Sequence, residues 1–240
     1  MNSIAIKSKD KILTVSWKNN TAFKQFIGYQ RNILLRETSS NRLGFTPTKD
    51  IIVDTQIFFN NLWDNVLAHG YYDGLPNNPT VLDIGSGIGL IDILAYQYLN
   101  NSGKFYLLDK DGLRTVGYDV SLEYTPNHGF YHSWAVTDDV LISTNCNQES
   151  FSKITPIEEW PDNIDMITSW GSYCWHYPFD TYWNKIKKHL NVGGKLVLEI
   201  SVSAEADSQI IKIISNEFNS TPSIHQMGTV GYRCVWIRKQ

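Results

Sequence analysis

Residues 80–90 read TVLDIGSGIGL. A strand-like run, Val81 to Ile84, leads into glycines at 85, 87 and 89. A backbone that passes close to a bound nucleotide needs glycine, because a Cβ would collide or forbid the turn. A helix starting just after the turn adds N–H donors and a positive dipole end. The details narrow the ligand. A dinucleotide fingerprint, G-x-G-x-x-G, needs its last glycine where this chain has Leu90. A phosphate loop of the Gly-Lys-Ser/Thr kind is excluded, because no such triplet follows. Asp83, just ahead of the turn, is a poor neighbour for a pyrophosphate. It suits a ligand carrying a cationic amino or sulfonium group. The competing reading is that Asp83 only braces the turn.

Outward from this turn the chain alternates strand and helix. Residues 80–84 predict a strand and GLIDILAYQYLNN (89–101) a helix. KFYLLD (104–109) is a second strand and residues 129–145 a second helix. SFSKIT (150–155) and NIDMITSW (163–170) are strands, FDTYWNKIKKHLN (179–191) a helix, and GGKLVLEIS (193–201) a strand. Residues 205–218 form the last helix, and SIHQMGT (223–229) and GYRCVWIRK (231–239) are closely joined strands that pair antiparallel. Continuous apolar strands suit a sheet covered on both faces. The expected fold is α/β: a doubly wound, mostly parallel seven-stranded Rossmann-like sheet with an antiparallel last strand. Ahead of it, SIAIK and KILTVSW suggest a hairpin, and residues 21–36 and 51–70 suggest helices. In the second helix Thr55, Phe58, Phe59, Leu62, Trp63 and Val66 make an apolar stripe, and Gly70 is a stop signal. The expected division is an N-terminal helical cover and substrate region, 1–78, and a cofactor-binding domain, 79–240.

The chain has 240 residues, enough for a sizeable core, and a net charge of −3. That balance speaks against a nucleic-acid partner, which calls for a basic face. The first residues lack an apolar signal core and no apolar run is long enough for a membrane span, so a cytoplasmic protein without a membrane partner is expected. Cys146, Cys174 and Cys234 have neither zinc spacing nor a disulfide framework and read as reduced thiols.

Asp109 ends the second strand, 20 residues after Gly89. A carboxylate there accepts hydrogen bonds from both ribose hydroxyls and repels a 2′-phosphate; Asp111 is its rival. Together, VLDIGSGIG, FYLLDKD, NIDMITSW and LNVGGKLVLEIS resemble the class I S-adenosylmethionine-dependent methyltransferases from Val81 to the end. The resemblance implies S-adenosyl-L-methionine as cofactor. Its methionine end would lie on the turn of Ile84, Gly85, Ser86, Gly87 and Gly89 beside Asp83, and its ribose on Asp109 next to Lys110. It also implies that Ile157 offers its N–H and apolar face to adenine. This chain has Pro156 and Ile157 where the family usually has an acidic residue followed by a small one.

SWGSYCWHYPFD (169–180) follows the strand at the middle of the expected sheet. Ligands in such sheets bind outside the carboxyl ends of the strands. His176 is therefore a candidate general base for O- or N-methylation, with packing against substrate or cofactor as the alternative. Trp170 and Trp175 are candidate cofactor or substrate contacts. SWGS replaces the Asp/Asn-Pro-Pro-aromatic tetrad of nucleobase amino-methylating relatives, no Pro-Cys pair is present, and no metal is expected. Tyr29, Arg31, Arg36 and Arg42, with Tyr118, Tyr124 and His128, are candidates for the acceptor side. The expected reaction is methyl transfer to an oxygen or nitrogen of a small-molecule or glycan-like acceptor. Methylation of a protein or RNA, or a partner subunit that binds cofactor without catalysis, are the alternatives. A dehydrogenase is disfavoured by Leu90.

Overall fold

The computed structural model describes residues 2–8, 11–18, 50–109, 134–174, 177–201, 206–227 and 231–240. The strands β1 (Asn2–Ser8) and β2 (Lys11–Trp17) form an antiparallel hairpin. Helix α1 spans Ile51–Ala68. Then follow β3 (Thr80–Ile84), α2 (Leu90–Tyr98), β4 (Lys104–Leu108), α3 (Trp134–Ser143), β5 (Phe151–Ile154) and β6 (Ile164–Ser169). The chain ends with α4 (Asp180–His189), β7 (Leu190–Ser201), α5 (Ala206–Phe218), β8 (Ser223–Met227) and β9 (Gly231–Ile237).

Seven strands make one sheet in the order β5-β4-β3-β6-β7-β9-β8. Strands β3 to β7 run parallel where they pair, and β9 runs antiparallel to both β7 and β8. The order reverses at β3, which pairs with both β4 and β6, and that reversal opens a crevice at the carboxyl ends. Strand β7 starts earlier than the glycine pair suggests. It begins at Leu190, with Gly193 at φ +85 and a register irregularity against β6 between Ile164 and Met166. The positive φ lets the chain stay in the sheet through a bulge that its sequence disguises as a turn.

Two cores flank the sheet. One joins Phe58, Leu62 and Trp63 of α1, Ile91 and Ile93 of α2, and Val136 and Val140 of α3 to Val81, Met166 and Val197. The other joins Trp183 and Ile186 of α4 and Ile214 and Phe218 of α5 to Leu82, Ile167, Leu196 and Leu198. The alternation of core membership along β3 and β7 is the two-residue period of a strand with helices on both faces.

An isolated hairpin is marginal in water. Here β1 and β2 bury Ile4, Ile6, Leu13, Val15 and Trp17 in the first core, each worth about 1.5–3 kcal/mol. Side chains then pin its backbone. Thr144 Oγ1 accepts from Ser16 N–H at 3.1 Å, and Ser143 Oγ accepts from Lys18 N–H at 2.9 Å. Gln97 bonds both polar groups of the Thr14 backbone. Asp50 caps α1 by accepting from Ile52 and Val53 N–H. At its other end Gly70 turns at φ +58 and Tyr71 N–H returns to Val66 O, the helix stop expected from the glycine. The hairpin and α1 thus share one core with the sheet. The expected helix at 21–36 and the loop after it lie outside the described residues. No described helix is long and apolar enough to cross a membrane.

Candidate active site

The glycine turn joins β3 to α2 at the reversal point. Its glycines have φ of 75° (Gly85), 57° (Gly87) and 75° (Gly89). Gly85 is doubly required. An L side chain strains at that φ, and a Cβ there would lie 1.9 Å from Ser172 Oγ. The segment after β6 therefore lies directly against the turn. Ser169 fastens the two together: its hydroxyl donates to Ile84 O at 2.8 Å and accepts from Tyr173 N–H at 2.8 Å.

Four of the turn's amides are occupied from within. Gly85 and Ser86 N–H both donate to Leu108 O, Gly89 N–H to Ser86 O, and Gly87 N–H to Asp109 Oδ2 at 2.9 Å. A loop that cradles phosphate aims such amides outward. This one spends them on holding its shape and on tying itself to the tip of β4. Asp109 is half-buried directly after β4, with its own N–H bonded to Ile154 O at 3.2 Å. The structure thus brings the two strongest sequence signals, the glycines and the acid 20 residues on, into one hydrogen-bonded unit. Gly89 caps α2 without a side-chain hydrogen bond.

Asp83 points the other way, into the protein. It is 2 % exposed and accepts from the Thr168 hydroxyl at 2.8 Å. Beside it lies Asp92, in the first turn of α2 and 1 % exposed. Burial, then the neighbouring Asp92, hold the Asp83 carboxyl well above the usual carboxylate range; Thr168 acts in the opposite direction. Burial pushes Asp92 up to about 7. The buried Tyr72 hydroxyl is pushed up as well, first by burial and then by both acids.

A second buried charge group lies on the same face. Glu199 of β7 and Arg233 of β9 are direct cross-strand partners and form an ion pair, 4 % and 0 % exposed. Asn65 of α1 accepts a second bond from the guanidinium. The Trp170 ring lies over the same guanidinium, 4.6 Å from its centre, and the Tyr71 ring lies 5.4 Å away. Beyond them the His69 and His225 rings pack at 3.7 Å.

Other sequence candidates fall as follows. Ile84 buries its side chain in the second core. Ser86 is half-buried on the turn. Ile157 is 93 % exposed, in the turn after β5 that Glu158 closes onto Thr155 N–H. Tyr173 is buried, and its hydroxyl donates to Phe179 O. Lys110, Asp111, Trp175 and His176 lie outside the described residues, as do Tyr29, Arg31, Arg36, Arg42, Tyr118, Tyr124 and His128. Sequence reasoning missed Asp92, Glu199, Arg233 and Thr168. Each of the three charged residues is a lone charge in an apolar run (GLIDIL, LVLEIS, YRCVW), which is the signal that was available. Among the described residues no group of three or more His, Cys, Asp or Glu is arranged to hold a metal.

Solved proteins share this arrangement of strands and helices. A methyltransferase from Pyrococcus furiosus superposes with a TM-score of 0.50 at 14 % identity, covering 92 % of this chain and 100 % of that one. A precorrin-6y C5,15-methyltransferase from Geobacter metallireducens gives 0.50 at 12 % identity, covering 81 % and 94 %. TYW2 of P. horikoshii, in complex with MeSAdo, gives 0.47 at 12 % identity; this chain spans 61 % of its length. No protein-family model and no curated protein matches the sequence. The chain has the class I methyltransferase fold.

Proposed function

We propose that this protein is an S-adenosyl-L-methionine-dependent methyltransferase acting on an oxygen or nitrogen of a small-molecule or glycan-like acceptor. The observation that carries the reading is the joined unit of glycine turn and Asp109 at the sheet's reversal point. Three features support the cofactor. The Gly85, Ser86, Gly87 and Gly89 amides are consumed internally, which disfavours a pyrophosphate. Asp109 ends β4 where a ribose diol would be received. Asp83 and Asp92 are buried acids with no cation paired to them among the described residues, which fits a ligand with a cationic end. When bound, the cofactor supplies a methyl group on a sulfonium, an electrophile that needs positioning more than activation.

The residue roles follow. Gly85, Ser86, Gly87 and Gly89, with the Ile84 backbone, line the methionine end, and Asp83 stands behind it at the end of β3. Asp109 receives the ribose beside Lys110, and Ile157 offers its N–H to adenine. Trp170 and Trp175 wall the acceptor side, and His176 takes the acceptor's proton. Residues 1–78 form the cover that selects the acceptor and 79–240 the catalytic domain. A cytoplasmic location without membrane or nucleic-acid partners completes the reading.

Calorimetry with S-adenosylhomocysteine tests the core of it, and absence of binding at millimolar ligand defeats the proposal. Asp109→Ala should weaken that binding at least tenfold. Transfer of labelled methyl from the cofactor into cell extract, split by size, tests the acceptor. Label in the small-molecule fraction is expected; label only in protein or RNA overturns the acceptor class. His176→Ala should then lower kcat about 100-fold or more while homocysteine-product binding persists.

A further inference from the structure

Ser169 of β6 pairs with Leu198 of β7, so Trp170 follows at the level of Glu199, whose partner across β9 is Arg233. One row across three strands thus ends at the carboxyl edge of β6, the neighbour of β3 at the reversal point. The row closes into contact. The Trp170 ring lies 4.6 Å from the guanidinium centre and the Tyr71 ring 5.4 Å from it, with the two rings 6.0 Å apart. Those lengths make a triangle, so each of the three groups braces the other two. The guanidinium is itself anchored. Glu199 and Asn65 accept from its two terminal nitrogens, and the residue is 0 % exposed. The indole has no such anchor: Trp170 Nε1 is buried and makes no hydrogen bond. Gly171, next in the chain, turns at φ +75, which lets Ser172 pack against Gly85 while Trp170 packs on Arg233. The polar contact that orients the indole is therefore the guanidinium, a planar cation that fixes a ring laid on it better than a compact ammonium does.

We propose that Arg233 is a positioning residue for the methyl acceptor: it sets the Trp170 ring at the carboxyl end of β6 and thereby governs how tightly the acceptor is held. The inference rests on the reading that Trp170 walls the acceptor side. Arg233 is closed off from the surface, so it acts on the acceptor only through that ring. Its strand, β9, lies two places from β6 in the sheet, with β7 between them. The contact thus carries the placement of an antiparallel strand to the mouth of the parallel ones. A ring displaced by about 1 Å is enough to spoil the fit of a bound acceptor.

The test is Arg233→Lys in the full chain, which keeps a cation for Glu199 and removes the planar fork. Transfer of labelled methyl from the cofactor is followed against the amount of cell extract, in whichever size fraction carries the label. The extract needed for half-maximal transfer should rise about tenfold, by more than the maximal rate falls. Calorimetric affinity for S-adenosylhomocysteine should change less than that. The Trp170 indole N–H resonance, assigned by its loss in Trp170→Leu, should move. In the Trp170→Leu background Arg233→Lys should add no further effect on acceptor saturation. Asn65→Leu loosens the guanidinium without removing it, and should act in the same direction by less. That variant decides the matter if the Arg233→Lys protein does not fold. An equal fall in cofactor-product affinity and acceptor saturation makes Arg233 a general structural residue and overturns the inference. So does an unmoved Trp170 resonance, or an Arg233→Lys effect that persists undiminished in the Trp170→Leu background. Transfer by wild type with unchanged saturation in the variants defeats this inference alone. Absence of any transfer by wild type defeats the methyltransferase reading and this inference with it.

Discussion

Two pairs of buried charged residues lie on one face of the sheet, and they solve the same electrostatic problem in opposite ways. Arg233 and Glu199 face each other across β9 and β7. Asn65 and the Trp170 and Tyr71 rings also contact the guanidinium. The charges cancel within the fold. Asp83 and Asp92 face each other between β3 and α2, and what acts on Asp83 is another acid, a hydroxyl and the more distant Asp109. Burial raises the pKa of both carboxyls. The contrast is between a buried charge matched within the fold and two buried acids whose carboxyl pKa values burial raises.

Disrupting each pair should therefore have opposite signs. Arg233→Met removes the guanidinium from the buried Glu199 carboxylate, and should cost about 3–5 kcal/mol in urea unfolding. A loss below about 1 kcal/mol would mean that the pair is not the closed unit described. Gly85→Ala forces a side chain to φ +75 and onto Ser172. It should cost about 1–3 kcal/mol and weaken S-adenosylhomocysteine binding at least tenfold. Retained affinity would show that the ligand does not use this turn.

Ser169→Ala removes the hydroxyl that joins Ile84 O to Tyr173 N–H. A loss of about 1–2 kcal/mol is expected, together with faster amide exchange at Tyr173. Unchanged exchange would separate the loop from the turn.

The smallest change is a gain. Both folded acids have raised pKa values, with Asp92 at about 7. The folded state therefore binds more protons than the unfolded one. The stability this adds is fully present below about pH 4, the unfolded value, and is lost as pH rises through about 7. Asp92→Asn should flatten that decline and unfold at a higher urea midpoint than wild type at pH 8, by about 1 kcal/mol. A lower midpoint would mean that the ionised pair has a counter-charge.

Much of this was legible in the chain. The glycine spacing, the acid at the end of β4 and the apolar alternation marked out the seven strands, because each signal is local and periodic. The hairpin at 3–17 was legible for the same reason. The start of β7 was not, since Gly193 reads as a turn until the neighbouring strand β6 shows that the chain continues through it. Trp170 was legible as an aromatic at the end of β6, but its ring is packed on Arg233, 63 residues further along the chain. A partner that far away leaves no local periodicity to read.

The order of elements, the glycine turn and the carboxylate at the tip of β4 are written in the chain. They depend on backbone freedom, side-chain period and short spacing. Which lone charges become pairs is written nowhere along it. The closed fold set Asp92 against Asp83 and Arg233 against Glu199, and it turned the glycine amides inward to Leu108 and Asp109. Burial and electrostatic balance are properties of what surrounds a residue, and those surroundings exist only when the sheet and its two helical layers close.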